Sequence, residues 1–164
     1  MSELKGFSPD FIASSLYEPE HWYLHELLEV DATRHRVRAR MDTTRLGPLV
    51  AAQRTESGHA LHVPAACVIQ ATGVLGNIHA REVLGLRAED GWFGYGTRIT
   101  GARFHTMGRI GPPVIATCTV TKRRHVRGSW FVDCEFEFTQ EGALIYSSQQ
   151  SAVWLQRGSD ESAG

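Results

Sequence analysis

The sequence predicts an α+β domain in which a curved antiparallel sheet wraps around one long central helix. Three observations predict it. A proline-free apolar stretch, Ala65 to Leu84, is opened by Pro64 and closed by Gly85. Two short strand-like runs precede that stretch, and four long ones follow it. The first half of the stretch, with Val68, Ile69, Ala71, Thr72, Val74, Leu75 and Ile78, shows little polar surface, as in a helix buried all round. Such a helix needs a sheet folded about it.

Residues 1–20 read as a loose or short helical entry broken by Pro9 and Pro19. A strand follows from His25 to Val30. Asp31 to His35 turns the chain, and Val37 to Thr43 returns as a second strand with Arg38, Arg40 and Asp42 alternating. Arg45 to Ser57 is irregular or a short strand. The helix from Ala65 to Leu84, at 1.5 Å per residue, spans about 30 Å. After the polar loop Arg87 to Gly91, strands are expected at Tyr95–His105, Val114–Lys122, Trp130–Thr139 and Ala143–Leu155. The third alternates cleanly, with Val132, Cys134, Phe136 and Phe138 interleaved with Asp133, Glu135 and Glu137. The basic run Lys122 to Arg127 reads as an exposed hairpin tip. One domain, 1–156, and a disordered tail, 157–164, complete the chain.

Composition narrows the functional classes. The 164 residues are 42% hydrophobic and 21% charged, as in a soluble globular domain with a substantial core. A net charge of −1 argues against nucleic-acid binding, and no stretch is long and apolar enough to span a membrane. The segment Met1 to Lys5 lacks the regions of a signal peptide, so the expected location is cytoplasmic. Cys67, Cys118 and Cys134 each sit in an apolar run without metal-ligand spacing, as expected of buried reduced thiols. No metal site and no phosphate-binding glycine loop is evident.

The chemistry-bearing stretch is Ser57-Gly58-His59-Ala60-Leu61-His62-Val63-Pro64. Two histidines precede a helix start, whose free N–H groups and partial positive charge suit an oxygen that becomes negative. His59 and His62 are candidate proton carriers, against structural readings as a loop anchor and a helix cap. Glu56, just ahead, is a candidate to orient His59 or act as a base, although most exposed loop glutamates do neither. Gln70 is the one long polar side chain in the first half of the helix, so it must find a hydrogen-bond partner in the fold or on a ligand. Gly73 and Asn77 continue its face at helical spacing. Tyr95, within Trp92-Phe93-Gly94-Tyr95-Gly96, is a candidate lining residue for an acyl tunnel or plain core. Arg103 is the first choice among Arg98, Arg103 and Arg109 to hold a carboxylate by a two-point contact. Arg123 and Arg124 are candidates to dock an acidic carrier protein or coenzyme A phosphates, or are simply solvated. His21, Tyr23 and His25, from the entry segment and first strand, are within plausible reach of the same site.

The element order resembles the hotdog fold over roughly residues 17–155. Gly58-His59 and Pro64 resemble signals of hydroxyacyl thioester dehydratases, but their acidic residue, six positions after the proline, is Gln70 here. A closer resemblance is to the type III long-chain acyl-CoA thioesterase family (FcoT-like). The glycine–histidine pair leads directly into the helix, Gln70 follows His59 by eleven residues, and Glu18-Pro19 and Ala102-Arg103-Phe104 resemble family segments. Family positions proposed for catalysis fall near Glu20 or His21, Gln53 and Leu61, where the residue types differ and the roles are not carried over.

The resemblance implies a homodimer or higher homo-oligomer acting on an acyl thioester. Its phosphopantetheine arm, on acyl carrier protein or coenzyme A, makes a separate cofactor unnecessary. It also implies conjugate addition of glycine to an α,β-unsaturated thioester, with thioester hydrolysis, giving a β-amino acid. A plain acyl thioesterase and a non-catalytic acyl-thioester binding protein are the alternatives.

Overall fold

The computed structural model describes residues 4–55 and 58–157. Six strands form one antiparallel sheet in the order β1-β2-β4-β5-β6-β3. They are β1 (Glu26–Asp31), β2 (Arg36–Met41), β3 (Trp92–Phe104), β4 (Val114–Val126), β5 (Ser129–Gln140) and β6 (Ala143–Gln156). Helices are α1 (Pro9–Ser14), α2 (Pro48–Ala51) and the long α3 (Ala65–Glu82). This is the expected α+β arrangement, with the central helix between the second and third strands in sequence.

The strands form because branched and aromatic residues alternate with polar ones. In β4 and β5 the inward set, Val114, Ala116, Cys118, Val132, Cys134, Phe136 and Phe138, is buried. Register pairs Cys118 with Phe136 and Val120 with Cys134, so the two thiols are diagonal neighbours on one face. The sheet's inner face receives Val68, Ala71, Val74, Leu75 and Ile78 of α3. The entry segment is more ordered than the sequence suggested. Ser8 caps α1 by accepting from the Phe11 N–H at 3.2 Å. Phe7 and Phe11 then pack on the fully buried Trp22, whose indole N–H donates to the Tyr17 carbonyl at 2.7 Å.

Three expectations need correction. First, α3 is not enclosed all round: Ala65, Ala66, Ile69 and Gly73 are exposed and Gln70 is half-buried, because the sheet reaches only the opposite faces. An apolar composition is shared by a helix enclosed by its own chain and one with a face left for something else. Second, β4 continues to Val126, and the tip shrinks to Arg127-Gly128. Both take positive φ, which matches the strand twist better than a longer loop. Arg123 and Arg124 therefore stand on a strand, not in a loop. Third, of the two readings of Arg45 to Ser57 the strand does not form: a 3-10 turn, Thr43–Arg45, is followed by the short α2, and residues 53–55 are irregular. Asp42 caps that turn, and β2 ends at Met41, two residues before Thr43.

Strand β3 lies at one edge and bonds only to β6. Its register shifts between Gly96 and Arg98 and again between Thr100 and Arg103. Gly101 takes φ +60 at the second shift, a conformation glycine accepts without strain.

Candidate functional site

The approach to α3 is pinned at one point and open around it. His59, Ala60 and Leu61 are exposed. Beyond them, His62 bridges Arg109, and the Val63 N–H donates to the Gly108 carbonyl at 2.8 Å. The Gln53 amide brackets His62. It accepts from the His62 N–H at 3.0 Å and donates to the His62 carbonyl at 2.7 Å. The His62 ring is half-buried, and its Nδ1 is buried without a hydrogen-bond partner. Pro64 then starts α3 in extended backbone, and no side chain caps the helix. Cys67 and Val68 N–H groups turn back to the Pro64 carbonyl at 3.1 and 3.4 Å. The amides of the exposed Ala65 and Ala66, with the positive end of the helix dipole, face outward.

A cavity of about 290 Å³ runs beside the open face of α3. Gln70, Gly73, Gly76 and Asn77 form its helical wall, and Gly94, Tyr95 and Gly96 of β3 face them. Trp154 forms part of the floor. A Cβ on Gly94 would lie 2.5 Å from the Trp154 indole, so only glycine lets β3 pass at this distance. Polar groups of the floor are already engaged. Gln150 donates to Thr72 Oγ1 at 3.0 Å and to Ser148 Oγ at 3.1 Å, and Ser151 donates to Asp133 at 2.7 Å. A second cavity of about 240 Å³ adjoins the first, sharing Leu16, Asn77, Gly94 and Trp154, and ends among Phe11, Leu86, Trp92 and Phe93. Arg81 lies in its wall, clasped by the Glu89 carboxylate through two contacts of 2.8 Å. That clasp holds the Glu89 carboxyl down to about 2.

The structure thus gathers four of the expected residues, Gln70, Gly73, Asn77 and Tyr95, around one cavity. His59 and His62 line neither cavity and stand instead before the amino end of α3. Arg103 lies exposed on β3 opposite Ser147, outside both cavities. Arg123 and Arg124 lie exposed on the far end of β4, with Arg123 3.4 Å from His35 Nδ1. Arg109 is engaged by Glu141. Glu56 lies outside the described residues. His21 is exposed beside Glu20. His25 accepts from the Asp42 N–H at 2.9 Å, and burial with nearby Arg45 drives its imidazole down to about 4, so it is a neutral structural acceptor.

Gln53 was not singled out by residue type or spacing. Its role comes from a nine-residue loop closing on itself, which no periodicity announces.

The thiols behave as expected. All three are free and buried, and burial pushes the Cys67 thiol up to about 11 beside the Tyr23 hydroxyl. Cys118 is pushed well above the usual thiol range by its neighbour Cys134 and by burial. Among the described residues, no three or more His, Cys, Asp or Glu side chains gather as a metal cluster, and no helix is long and apolar enough to cross a membrane.

No protein-family model matches the chain, and no curated protein matches it by sequence. Solved structures match its shape. The thioesterase HI1161 from Haemophilus influenzae is 16% identical and superposes with a TM-score of 0.61, over 95% of this chain and 96% of that one. A mutant of thioesterase PA1618 from Pseudomonas aeruginosa is 12% identical, with a TM-score of 0.61 over 94% and 99%. The dehydratase heterocomplex ApeI:P from Xenorhabdus doucetiae is 17% identical, with a TM-score of 0.58 over 85% and 86%. At these identities the similarity is one of architecture: the chain has the hotdog fold.

Proposed function

We propose that this chain is an acyl-thioester-processing enzyme whose reaction is conjugate addition of glycine to an α,β-unsaturated acyl thioester, with hydrolysis of the thioester. One observation carries the reading: the uncapped amino end of α3 and an acyl-sized cavity lie along the same helix. Gln70 enters that cavity wall in the helix's second turn. A thioester carbonyl at the first-turn amides would place its acyl chain beside Gln70, Gly73 and Asn77.

The chemistry follows from that placement. The free amides draw electron density onto the carbonyl oxygen. Glycine's amine nitrogen bonds to the β-carbon, the π electrons move to the enolate oxygen, and the ammonium proton passes through an imidazole to the α-carbon. Water then attacks the carbonyl, the C–S bond breaks, and the thiol leaves with a proton. Among the described residues neither cavity wall includes a carboxylate, and the imidazole in the wall, His79, is buried against His35 and Arg123, so proton transfer is assigned to an imidazole before the amino end of α3. His62 is the stronger assignment because its backbone is fixed by Gln53 and one ring nitrogen is unpartnered. Arg103, with no ion-pair partner among the described residues, is assigned to the glycine carboxylate, reaching the site from a second copy of the chain. Arg123 and Arg124 are assigned to carrier docking.

Two copies joined along β3 would supply that arrangement. The assay is incubation with enoyl and saturated thioesters, on coenzyme A and on acyl carrier protein, with and without glycine, read by mass spectrometry. Expected is a glycine adduct released as free acid, lost in His62→Ala. The shape similarity to thioesterases favours plain hydrolysis as the second reading, and free acid without adduct would establish it. Tight retention without turnover would instead identify a binding protein.

A further inference from the structure

We infer that the acyl chain this site accepts carries a neutral hydrogen-bonding oxygen, a hydroxyl or keto group, about 17 Å along the helix from the thioester carbonyl, with an apolar tail beyond it. The inference rests on the acyl-thioester reading above. Gln70 and Asn77 both line the first cavity, seven residues apart on α3, which places them about 10 Å apart along the helix. Neither amide bonds to any described residue, in contrast to Thr72, Gln150 and Ser151 of the same cavity, which bond to one another or to Ser148 and Asp133. An acyl chain filling the cavity expels water from both amides. Gln70, four residues past Ala66, lies about 6 Å along the helix from the carbonyl, where its long side chain reaches the polar thioester group. Asn77 sits farther along, at the neck shared by the two cavities, and would face bare methylenes. A hydroxyl at that point gives Asn77 both a donor and an acceptor partner, and a keto oxygen gives its N–H an acceptor.

The space past the neck sets the rest of the ligand. The second cavity is walled by Phe11, Leu86, Trp92 and Phe93. Its buried cation, Arg81, is already neutralised by Glu89, with Glu82 at 3.7 Å and Asp10 at 4.0 Å. The terminus of the chain is therefore hydrocarbon. Arg157, also in this wall, stacks 5.7 Å over the Phe93 ring. An acidic terminus drawn to Arg157 is the competing possibility that the test resolves.

The test uses the full chain and coenzyme A thioesters of one length. They are unsubstituted, hydroxylated at successive carbons along the distal half, or ended by a carboxylate. Turnover and quenching of tryptophan fluorescence are both read. Expected is a sharp maximum in kcat/KM at one hydroxyl position, about tenfold or more above the unsubstituted chain. In Asn77→Leu the ratio between those two substrates collapses towards one. In Asn77→Ser, which keeps a hydroxyl at the neck, part of the preference returns. A flat profile in the native protein, a maximum that survives Asn77→Leu, or preference for the terminal carboxylate overturns the inference and leaves the acyl-thioester reading standing. Absence of both turnover and quenching with every thioester overturns the two together.

Discussion

The two edges of the sheet are built on opposite principles. β1 is six residues long and carries Glu26, Glu29 and Asp31. Glu26 meets Lys5 at 2.8 Å and Arg40 at 2.6 Å, Glu29 meets Arg36 at 2.7 Å, and Arg34 stands 3.7 Å from Asp31. The chain entry also covers part of this edge, where the Leu27 N–H donates to the Lys5 carbonyl. Leu28 and Val30 are exposed there, but singly among charges. β3 is thirteen residues long, has no acidic residue, and exposes Phe93, Tyr95 (54%), Ile99 (48%) and Phe104 (54%). Edges that end a molecule are short and charged, and long apolar ones invite another strand. The same β3 also forms a wall of both cavities, so the edge suited to pairing and the edge beside the candidate site are one.

The largest expected effect breaks β3. Ile99→Glu places a charge on the exposed apolar edge. It should convert a dimer to a monomer in sedimentation and lower turnover roughly a hundredfold or more by misplacing groups across the join. A native protein that sediments as a monomer at working concentration would remove the contrast between the edges altogether.

Acid sharpens the comparison next, because the β1–β2 side of the molecule carries the titrating groups. His79 is 1% exposed, with its Nε2 unpartnered, facing His35 and Arg123. Burial first, then those two neighbours, drive its imidazole down to about 4. The unfolded chain thus binds this proton more readily than the native one. Its contribution is complete above the unfolded value near 6.5 and lost as pH falls towards 4, on the order of 2–3 kcal/mol. His25 adds in the same direction. The Glu26 and Glu29 carboxyls, lowered chiefly by Lys5 and Arg36, add a further loss below the ordinary carboxylate range. A melting temperature that fails to drop between pH 7 and 4, or drops equally in His79→Gln, contradicts this.

A smaller effect probes the cavity wall without touching the edge. The Cβ of Gly73→Val enters open space, so melting should move little while affinity for long acyl thioesters falls about tenfold. Equal binding by calorimetry would show that the chain lies elsewhere. The smallest effect belongs to β1. Glu29→Gln should shift the urea midpoint only slightly and leave the oligomeric state alone.

Much of the frame was legible in the residues. Pro64, Gly85 and the apolar run between them bounded α3 to within two residues at its end, and the alternation of 130–139 marked β5. Gln70, Gly73 and Asn77 were legible as one face because helical spacing is local. Enclosure was not legible. The same apolar residues serve a helix surrounded by its own sheet and one with a stripe left bare, and only the reach of β3 and β6 decides between them. Nor were the Gln53 bracket on His62 or the Arg109–Glu141 pair, which depend on where loops far apart in sequence come to rest. The start of β3 at Trp92 was hidden by Gly94 and Gly96, which weaken a strand's sequence pattern while making room for the Trp154 indole.

That indole divides the cavity glycines into two kinds. Gly94 is locked against it, whereas at Gly73, Gly76 and Gly96 an added methyl meets nothing within 4 Å. Three positions can therefore drift under selection, each shortening or reshaping the compartment, while the scaffold stays intact through the fourth. Descendants of such a protein can alter the compartment a methyl at a time without refounding the architecture.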